Sequence, residues 1–232
     1  MSRFSTKAVA VFGTLITAGA FATPAFAAGD PAPVSQGDRI DSYVSTADNG
    51  HSIYNMCTVG YVNQAKHTAV IARHCVGSVG ADGLARFETA DGRPVGYTDG
   101  SSAGVLDPNS PEDWVNVHLY NDTAVNPNGY TTNNTVPLTS LSNGQQVCMI
   151  GLSSGNHCGT VNLAYQNTYN SVFIENMWPL PGDSGGPAWL VNPDGSVAGS
   201  IGIVTDQFTH TEPDGSQNKG ALVAGIGPAL AQ

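Results

Sequence analysis

Positive charge is scarce in this sequence. Only 8 of its 232 residues are lysine or arginine, against 18 aspartates and glutamates, and the formal net charge is −10 at pH 7. Such a chain offers no basic patch to nucleic acid or to an anionic lipid surface, so we expect it to bind neither. Charged residues of both signs make up only 11% of the composition, which suits an exported protein but identifies no substrate.

A hydrophobic run long enough to span a membrane is also lacking. The apolar run at residues 8–22 is shorter than the ~20 residues that a membrane span needs, which disfavours an N-terminal anchor. It follows two basic residues and precedes an Ala25-x-Ala27 site, the three-part pattern of a secretory signal peptide. We therefore expect residues 1–27 to be removed, and the remaining chain to be secreted and free of the membrane.

The remaining sequence shows no helical periodicity. Short β-prone runs alternate with turns rich in Gly, Asn, Asp and Pro, which predicts an all-β fold, either a sandwich or a pair of barrels. In the run WVNVHLY (114–120) three apolar residues alternate with two polar ones, the period of a half-buried strand. Residues 28–54 are interpreted as an extended lead-in or short pro-segment before the folded domain.

Cysteine is limited to four residues, and an even number in an exported chain predicts two disulfides. Of the three possible connectivities the simplest pairs sequence neighbours, Cys57 with Cys75 and Cys148 with Cys158. Histidines stand near the cysteines, but no C-x-x-C, H-x-x-x-H or H-E-x-x-H spacing is present. We therefore expect no metal site and no cofactor.

One stretch, PLPGDSGGPAW (179–189), places Ser184 within a run of glycines. Glycine permits positive φ and close approach to the main chain, so a tight loop here could point several N–H groups at one developing negative charge. The alternative is an ordinary surface turn between two strands. The two interpretations differ in whether the chain also supplies a base and a carboxylate for the serine, because an isolated serine hydroxyl is a poor nucleophile.

Candidates for both groups occur upstream. His74 ends the apolar run AVIARHCV, and Asp113 precedes the alternating strand. Each has a simpler explanation, as a surface histidine and as a turn acid, and the carboxylate has rivals in Asp107, Glu112 and Asp122. Together, however, they follow the chain order His…Asp…Ser, which is one of the known orders of a catalytic triad.

These residues resemble the chymotrypsin-like (trypsin-type) serine proteases, and among them the secreted actinobacterial branch that includes the streptogrisins. The matching pieces are GDSGGP (182–187), RHC (73–75), the strand after Asp113, and GQQVCMIGLSSGNHCGTV (144–161). The resemblance implies one protease domain over residues 55–232. It would contain two six-stranded Greek-key β-barrels, roughly 55–125 and 140–226, with the active site in the cleft between them.

The resemblance also implies roles for single residues. Ser184 would be the nucleophile, His74 the general base and then acid, and Asp113 the carboxylate that orients it. The backbone N–H groups of Gly182 and Ser184 would form the oxyanion hole. The implied activity is that of a secreted, monomeric serine endopeptidase, which cleaves a peptide or protein substrate through an acyl-enzyme.

Some positions depart from the pattern of the family. Arg73 replaces a small residue, and we expect its side chain to extend into solvent. Asp183 would be buried but lacks the usual freed N-terminal amine as a partner, which leaves an internal arginine as the expected substitute. Thr205 is expected to hydrogen-bond Asp113, and Gln207 replaces a glycine and would narrow the entrance of the specificity pocket.

The specificity pocket itself is expected to consist of a floor and a wall. The floor would be Asn176, Met177 and Trp178, and the wall would be Thr205, Asp206 and Gln207. Without an acid at the floor, burying a lysine or arginine would be costly, so we expect cleavage after small or apolar residues. An inward-pointing Asp206 would reverse that preference.

Two other functions remain open at this stage. The protein could be a protease-like binding or surface protein that kept the triad but lost productive geometry. It could also be an esterase of the GDS kind, although those enzymes carry the motif near the start of an α/β domain, whereas Ser184 comes late in an all-β chain.

Overall fold

The structure, a computed structural model, describes residues 30–99, 112–167, 170–211 and 214–232, so the expected signal peptide lies outside the described residues. Within these ranges the regular secondary structure is almost entirely β, with one short α-helix, α1 (Gly227–Ala231). The strands are β1 (Arg39–Thr46), β2 (Ser52–Thr58), β3 (Tyr61–Asn63), β4 (Thr68–Ile71), β5 (Ala85–Glu88), β6 (Pro94–Thr98), β7 (Val115–Leu119), β8 (Gln146–Gly151), β9 (Gly155–Asn167), β10 (Ser171–Glu175), β11 (Pro187–Val191), β12 (Val197–Thr211) and β13 (Gln217–Gly225). None of the helices in the described ranges is long and apolar enough to cross a bilayer.

The N-terminal sheet has seven strands in the order β2-β1-β5-β6-β7-β4-β3. Its two edge strands are consecutive in the chain, because β2 ends at Thr58 and β3 begins at Tyr61. The sheet therefore curls into a barrel in which one strand is interrupted, and this interruption accounts for seven strands where six were expected. The break falls at Gly60, where a Cβ would lie 2.2 Å from the carbonyl oxygen of Gly185, so only glycine allows this close approach.

The C-terminal half is a closed antiparallel barrel in the order β10-β13-β12-β11-β8-β9. Its interior is filled by large apolar side chains, among them Val147, Met149, Ile174, Ile201 and Val223. Residues that fill the interior alternate along the strands, as Val147 and Met149 do, but the residues between them are often buried as well. The half-buried strand predicted at residues 114–120 is therefore corrected, because Asn116 in β7 is buried and donates to the carbonyl oxygen of Ala229 at 3.0 Å. The all-β fold with two barrel-like units is confirmed.

The folded domain begins earlier than residue 55, and this corrects the interpretation of residues 28–54 as a lead-in. Strand β1 pairs with β2 along its length, and the preceding residues Ala32 and Val34 are buried in the N-terminal core. The buried side chain of Gln36 accepts hydrogen bonds from the amides of Tyr130 and Thr131. Strand pairing, burial and hydrogen bonds to distant residues hold this segment in the fold. Its Pro- and Gly-rich composition does not reveal these contacts.

Two disulfides join the cysteines in the expected pairs. Cys57–Cys75 connects β2 to the short turn after β4. Cys148–Cys158 joins directly opposed residues of the hairpin formed by β8 and β9. The first bridge fixes the turn that carries His74, and the second fixes the hairpin whose tip contacts Pro181 and Asp183.

Candidate active site

His74 lies on a single 3₁₀ turn, Arg73–Cys75, that follows β4. The disulfide from Cys75 anchors the turn to β2. The side-chain amide of Asn55, also on β2, lies 3.4–3.5 Å from three successive carbonyl oxygens of the turn and the residue after it. The backbone that carries the imidazole is therefore held to β2 by two contacts.

Asp113 is brought to His74 by the pairing of β4 with β7. The antiparallel register places Ile71 opposite Val115, and continuing it by two residues places Asp113 opposite Arg73. The backbone N–H of His74 donates to Oδ1 of Asp113 at 2.9 Å, and Nδ1 of the ring lies 2.7 Å from Oδ2. A carboxylate can only accept, so Nδ1 carries the proton and Nε2 is left as the basic nitrogen.

The charges of this pair shift both pKa values. Burial lowers the pKa of His74, but the hydrogen bond and charge of Asp113, with a further contribution from Asp206, outweigh it and raise the pKa above the usual value. Burial raises the pKa of Asp113, but the hydrogen bonds and charge of His74 outweigh it and the pKa is lowered. Asp113 is therefore ionised at neutral pH and makes His74 a stronger base.

The rival carboxylates are not placed at the histidine. Glu112 accepts a hydrogen bond from the indole of Trp114 at 3.0 Å, and Asp122 is exposed in a turn. Asp107 lies outside the described residues. Among the described acids, Asp113 alone hydrogen-bonds the ring of His74.

A metal site is not available at this histidine. Within the described ranges, Cys57, His74 and Cys75 form the only close cluster of three potential ligands. Both sulfur atoms belong to a disulfide, and metal ligation needs the thiolate. The cluster therefore anchors the turn and cannot hold zinc.

Ser184 lies on a tight loop between two glycines with left-handed backbone, Gly182 at φ +101° and Gly185 at φ +86°. At Gly185 a Cβ would lie 2.4 Å from the carbonyl oxygen of Thr58, so the loop approaches β2 as only glycine permits. Within the described part of the chain, the N–H groups of Gly182 and Ser184 donate to no protein acceptor. Two backbone donors beside one hydroxyl are the arrangement that binds a developing oxyanion.

Ser184 and His74 line the same cleft. The serine hydroxyl makes no hydrogen bond with the described residues, including the imidazole of His74. Catalytic hydrogen bonds are often loose without substrate and tighten when it binds. Ser184 and His74 therefore share one cleft, and no hydrogen bond joins their side chains.

Asp183, the residue before the serine, is fully buried. Its carboxylate accepts three backbone hydrogen bonds, at 2.7 Å from Ser153, 3.0 Å from Ser154 and 2.7 Å from Leu180. The expectation of an internal arginine as its partner is therefore wrong. Gly151 makes the approach possible, because a Cβ there would lie 2.3 Å from the carboxyl carbon of Asp183.

Two of the three donors to Asp183, Ser153 and Ser154, lie at the tip of the β8–β9 hairpin, and sequence reasoning missed this role. Ser153 adds a side-chain bond, its hydroxyl donating to the carbonyl oxygen of Pro181 at 2.6 Å. The Ser-Ser-Gly turn between Cys148 and Cys158 was the available signal. It did not indicate the role, because backbone amides are common to nearly every residue type.

The cleft has a volume of about 580 Å³, within the range of small-molecule and peptide sites. Its lining contains Arg73, His74, Asp113, Pro179, Leu180, Pro181, Ser184, Val204, Thr205, Asp206 and Gln207. Thr205, Asp206 and Gln207 thus line the cleft, as the sequence predicted for its wall. The residues predicted for its floor do not line it.

The expected floor residues, Asn176, Met177 and Trp178, are absent from the lining of the cleft, which corrects the sequence interpretation. Met177 is fully buried in the core of the C-terminal barrel. Asn176 turns outward at φ +64°, and Trp178 packs beneath the ammonium of Lys219 at 5.8 Å. The left-handed turn after β10 directs the apolar methionine to the core, and Pro179 to Pro181 form the side of the cleft.

Two further expectations are also corrected. The hydroxyl of Thr205 donates to the carbonyl oxygen of Leu222 at 3.3 Å, so its single proton is not given to Asp113. Arg73 does not simply extend into solvent. It is half-buried, its Nε is shielded from water, and it lines the cleft beside His74.

The wall carries one contact across the cleft. The side-chain amide of Gln207 donates a hydrogen bond to the carbonyl oxygen of Pro179 on the opposite side. The neighbouring carboxylate of Asp206 is exposed and accepts the backbone N–H of Gln207 at 2.7 Å. Gln207 therefore closes the space between the two sides of the cleft.

Comparison with known structures supports the fold. The solved structure of a glutamic acid specific serine protease that utilizes a novel histidine triad in substrate binding has a TM-score of 0.54 at 18% identity, with 85% of this chain and 96% of that chain covered. The protease Anisep from Arthrobacter nicotinovorans has a TM-score of 0.47 at 15% identity, covering 86% of this chain and 97% of that one. The first comparison assigns the chymotrypsin-like serine protease fold.

Comparison of sequences gives closer relatives. No model of a known protein family matches the chain. The uncharacterized protein MT1863 of Mycobacterium tuberculosis strain CDC 1551 is 34% identical over 210 residues, which is 88% of this chain and 86% of that protein. The uncharacterized protein Rv1815 of strain H37Rv matches with the same identity and coverage. The chain therefore belongs to the same protein family as these two mycobacterial proteins, and it has the chymotrypsin-like serine protease fold.

Proposed function

We propose that the protein is a secreted serine endopeptidase that hydrolyses peptide bonds through an acyl-enzyme. One observation carries the proposal: both oxygens of Asp113 bind His74, and Ser184 lies in the same cleft. The fold of the solved proteases and the two disulfides are compatible with that activity outside the cell.

The proposed reaction begins at the hydroxyl of Ser184. Its oxygen attacks the carbonyl carbon of the substrate while Nε2 of His74 takes the proton, and Asp113 holds the proton on Nδ1 and stabilises the imidazolium. The negative charge on the carbonyl oxygen is bound by the N–H groups of Gly182 and Ser184. Each such donor typically contributes about 3 kcal/mol to transition-state stabilisation.

The peptide bond breaks when His74 gives this proton to the leaving amine, and the acyl group remains as an ester on Ser184. Hydrolysis of that ester is the second half of the reaction. Water then donates a proton to Nε2 and attacks the ester, and the acid product leaves as Ser184 regains its proton. No group beyond the protein and water is needed to balance either step.

Fluorophosphonate labelling tests the proposal directly. The wild-type protein is expected to gain one covalent adduct on Ser184, read by intact mass and peptide mapping, and to cleave casein. Ser184→Ala and His74→Ala should each lose both properties, whereas Ser196→Ala, an exposed serine on a turn of the same barrel, should keep them. Casein cleavage by Ser184→Ala at the wild-type rate would refute the assignment.

A second function is favoured by the geometry of the cleft. The bond from Gln207 to Pro179 crosses the cleft, and the hydroxyl of Ser184 is not hydrogen-bonded to His74. A protease-like binding protein would show both features. It would fold normally, bind peptides and take no label, so the same experiment separates the two functions. The all-β fold rules out the esterase alternative, because esterases of that kind have an α/β domain.

A further inference from the structure

One hydrogen bond crosses the part of the cleft next to β12. Gln207 bridges to Pro179, and the residue expected at the floor, Met177, is fully buried in the barrel core. Gln207 and Pro179 therefore narrow this side of the cleft, and the expected floor residues do not line it.

An apolar surface lies on the other side of the serine loop. Met56 and Leu152 are both 39% exposed, although they are large and apolar. Their terminal carbons both lie 3.8 Å from the point that a Cβ of Gly182 would occupy. Neither residue is part of the cleft lining that contains Gln207. We call these two side chains the Met56–Leu152 shelf.

The shelf is fixed to the loop that would bind the oxyanion. The buried hydroxyl of Thr58 donates to the carbonyl oxygen of Gly182 at 2.8 Å and accepts the N–H of Leu152 at 3.1 Å. This one side chain joins β2, the hairpin tip and the serine loop. The shelf therefore keeps its position relative to Ser184, as a specificity site must.

We propose that the Met56–Leu152 shelf binds the side chain of the substrate residue that directly follows the cleaved bond, and that the enzyme prefers an apolar residue there. The inference rests on the proposed endopeptidase function. A substrate whose acyl part occupies the Gln207 side of the cleft must pass Ser184 and Gly182, which brings its leaving part to the shelf. Burying apolar atoms there is favourable in proportion to the area removed from water.

Acyl transfer measures this site separately from the rest of the substrate. Active sites are first counted with a fluorophosphonate, and an ester substrate then forms the acyl-enzyme, which amino-acid amides capture in competition with water. We expect leucinamide to capture it at least about tenfold more efficiently than glycinamide. The captured product and the hydrolysed acid are quantified by mass spectrometry.

Charge substitution on the shelf gives the decisive comparison. Leu152→Lys and Met56→Lys should each lose the preference for leucinamide and gain capture by glutamic acid amide. Ile53→Lys is the matched control, because Ile53 is 46% exposed and on the same strand but on its opposite face. It should behave as the wild type.

The outcomes separate the two claims. Enzymes that are fully labelled but show equal capture of leucinamide and glycinamide, or variants that keep the wild-type preference, would overturn the shelf while leaving the proposed function intact. A folded wild-type protein that takes no label would overturn the proposed function and the shelf with it.

Discussion

Asp183→Asn is the most informative single substitution in this structure. The side chain keeps its shape, but one acceptor oxygen becomes an NH₂ donor and the charge disappears. In the native protein Ser153 and Ser154 donate to one oxygen and Leu180 to the other. The asparagine oxygen can serve only one of these sides. On the other side two donors would face each other in a fully buried position.

The magnitude follows from these contacts. Hydrogen bonds to a charged group contribute about 1.5–3 kcal/mol each, and a buried donor left unpaired costs about 1–3 kcal/mol. Part of this is offset because a neutral amide loses less hydration on burial than a carboxylate does. We expect the free energy of unfolding to fall by about 2–4 kcal/mol. Since the loop carries both proposed oxyanion donors, kcat should fall by about 10²-fold with little change in KM.

Urea denaturation followed by tryptophan fluorescence, with disulfides intact, measures the first effect, and peptide hydrolysis measures the second. Asp194→Asn is the control, because this acid is exposed on a turn and, among the described residues, accepts hydrogen bonds only from Ser196. It should change neither quantity appreciably. If Asp183→Asn unfolds at the wild-type urea concentration and keeps its kcat, the buried carboxylate does not organise the serine loop.

Three further predictions concern the histidine. Asp113→Asn should lower kcat by about 10⁴-fold, because the imidazole loses the acceptor that fixes its tautomer. An unchanged circular dichroism spectrum would show that the fold is intact. A decrease in kcat below tenfold would contradict the role of Asp113. His74 must be unprotonated to act, so activity falls as pH drops through its raised pKa, and Asp206→Asn should move that acidic limb of kcat/KM to lower pH. A limb that stays in place, or moves up, would exclude Asp206 as a source of the shift. Replacing Cys57 and Cys75 together by serine should cost about 3 kcal/mol of stability and reduce activity, since the bridge anchors the turn of His74. Non-reducing peptide maps verify the native pairing, and full activity of the variant would show that the bridge is dispensable for the site.

The local features of this protein could be predicted from its sequence. Alternation of apolar and polar residues predicted strands, because successive side chains of a strand point to opposite faces of the sheet. The glycines around Ser184 predicted a tight loop, since positive φ is a property of the residue type. His74 and Asp113 were found at the ends of two recognisable strands, and the register of those strands accounts for their hydrogen bonds.

The contacts between segments that are distant in the chain could be seen only in the tertiary structure. Two of the three partners of Asp183 are backbone amides about thirty residues away, and an amide has no signature in a sequence. Met177 went to the barrel core and not to the cleft because the turn at Asn176 sets its direction. The placement of Gln207 against Pro179 likewise depends on the packing of two segments. Local pattern fixes which residues form a strand or a loop, whereas burial and hydrogen-bond satisfaction across the fold decide what each residue then contacts.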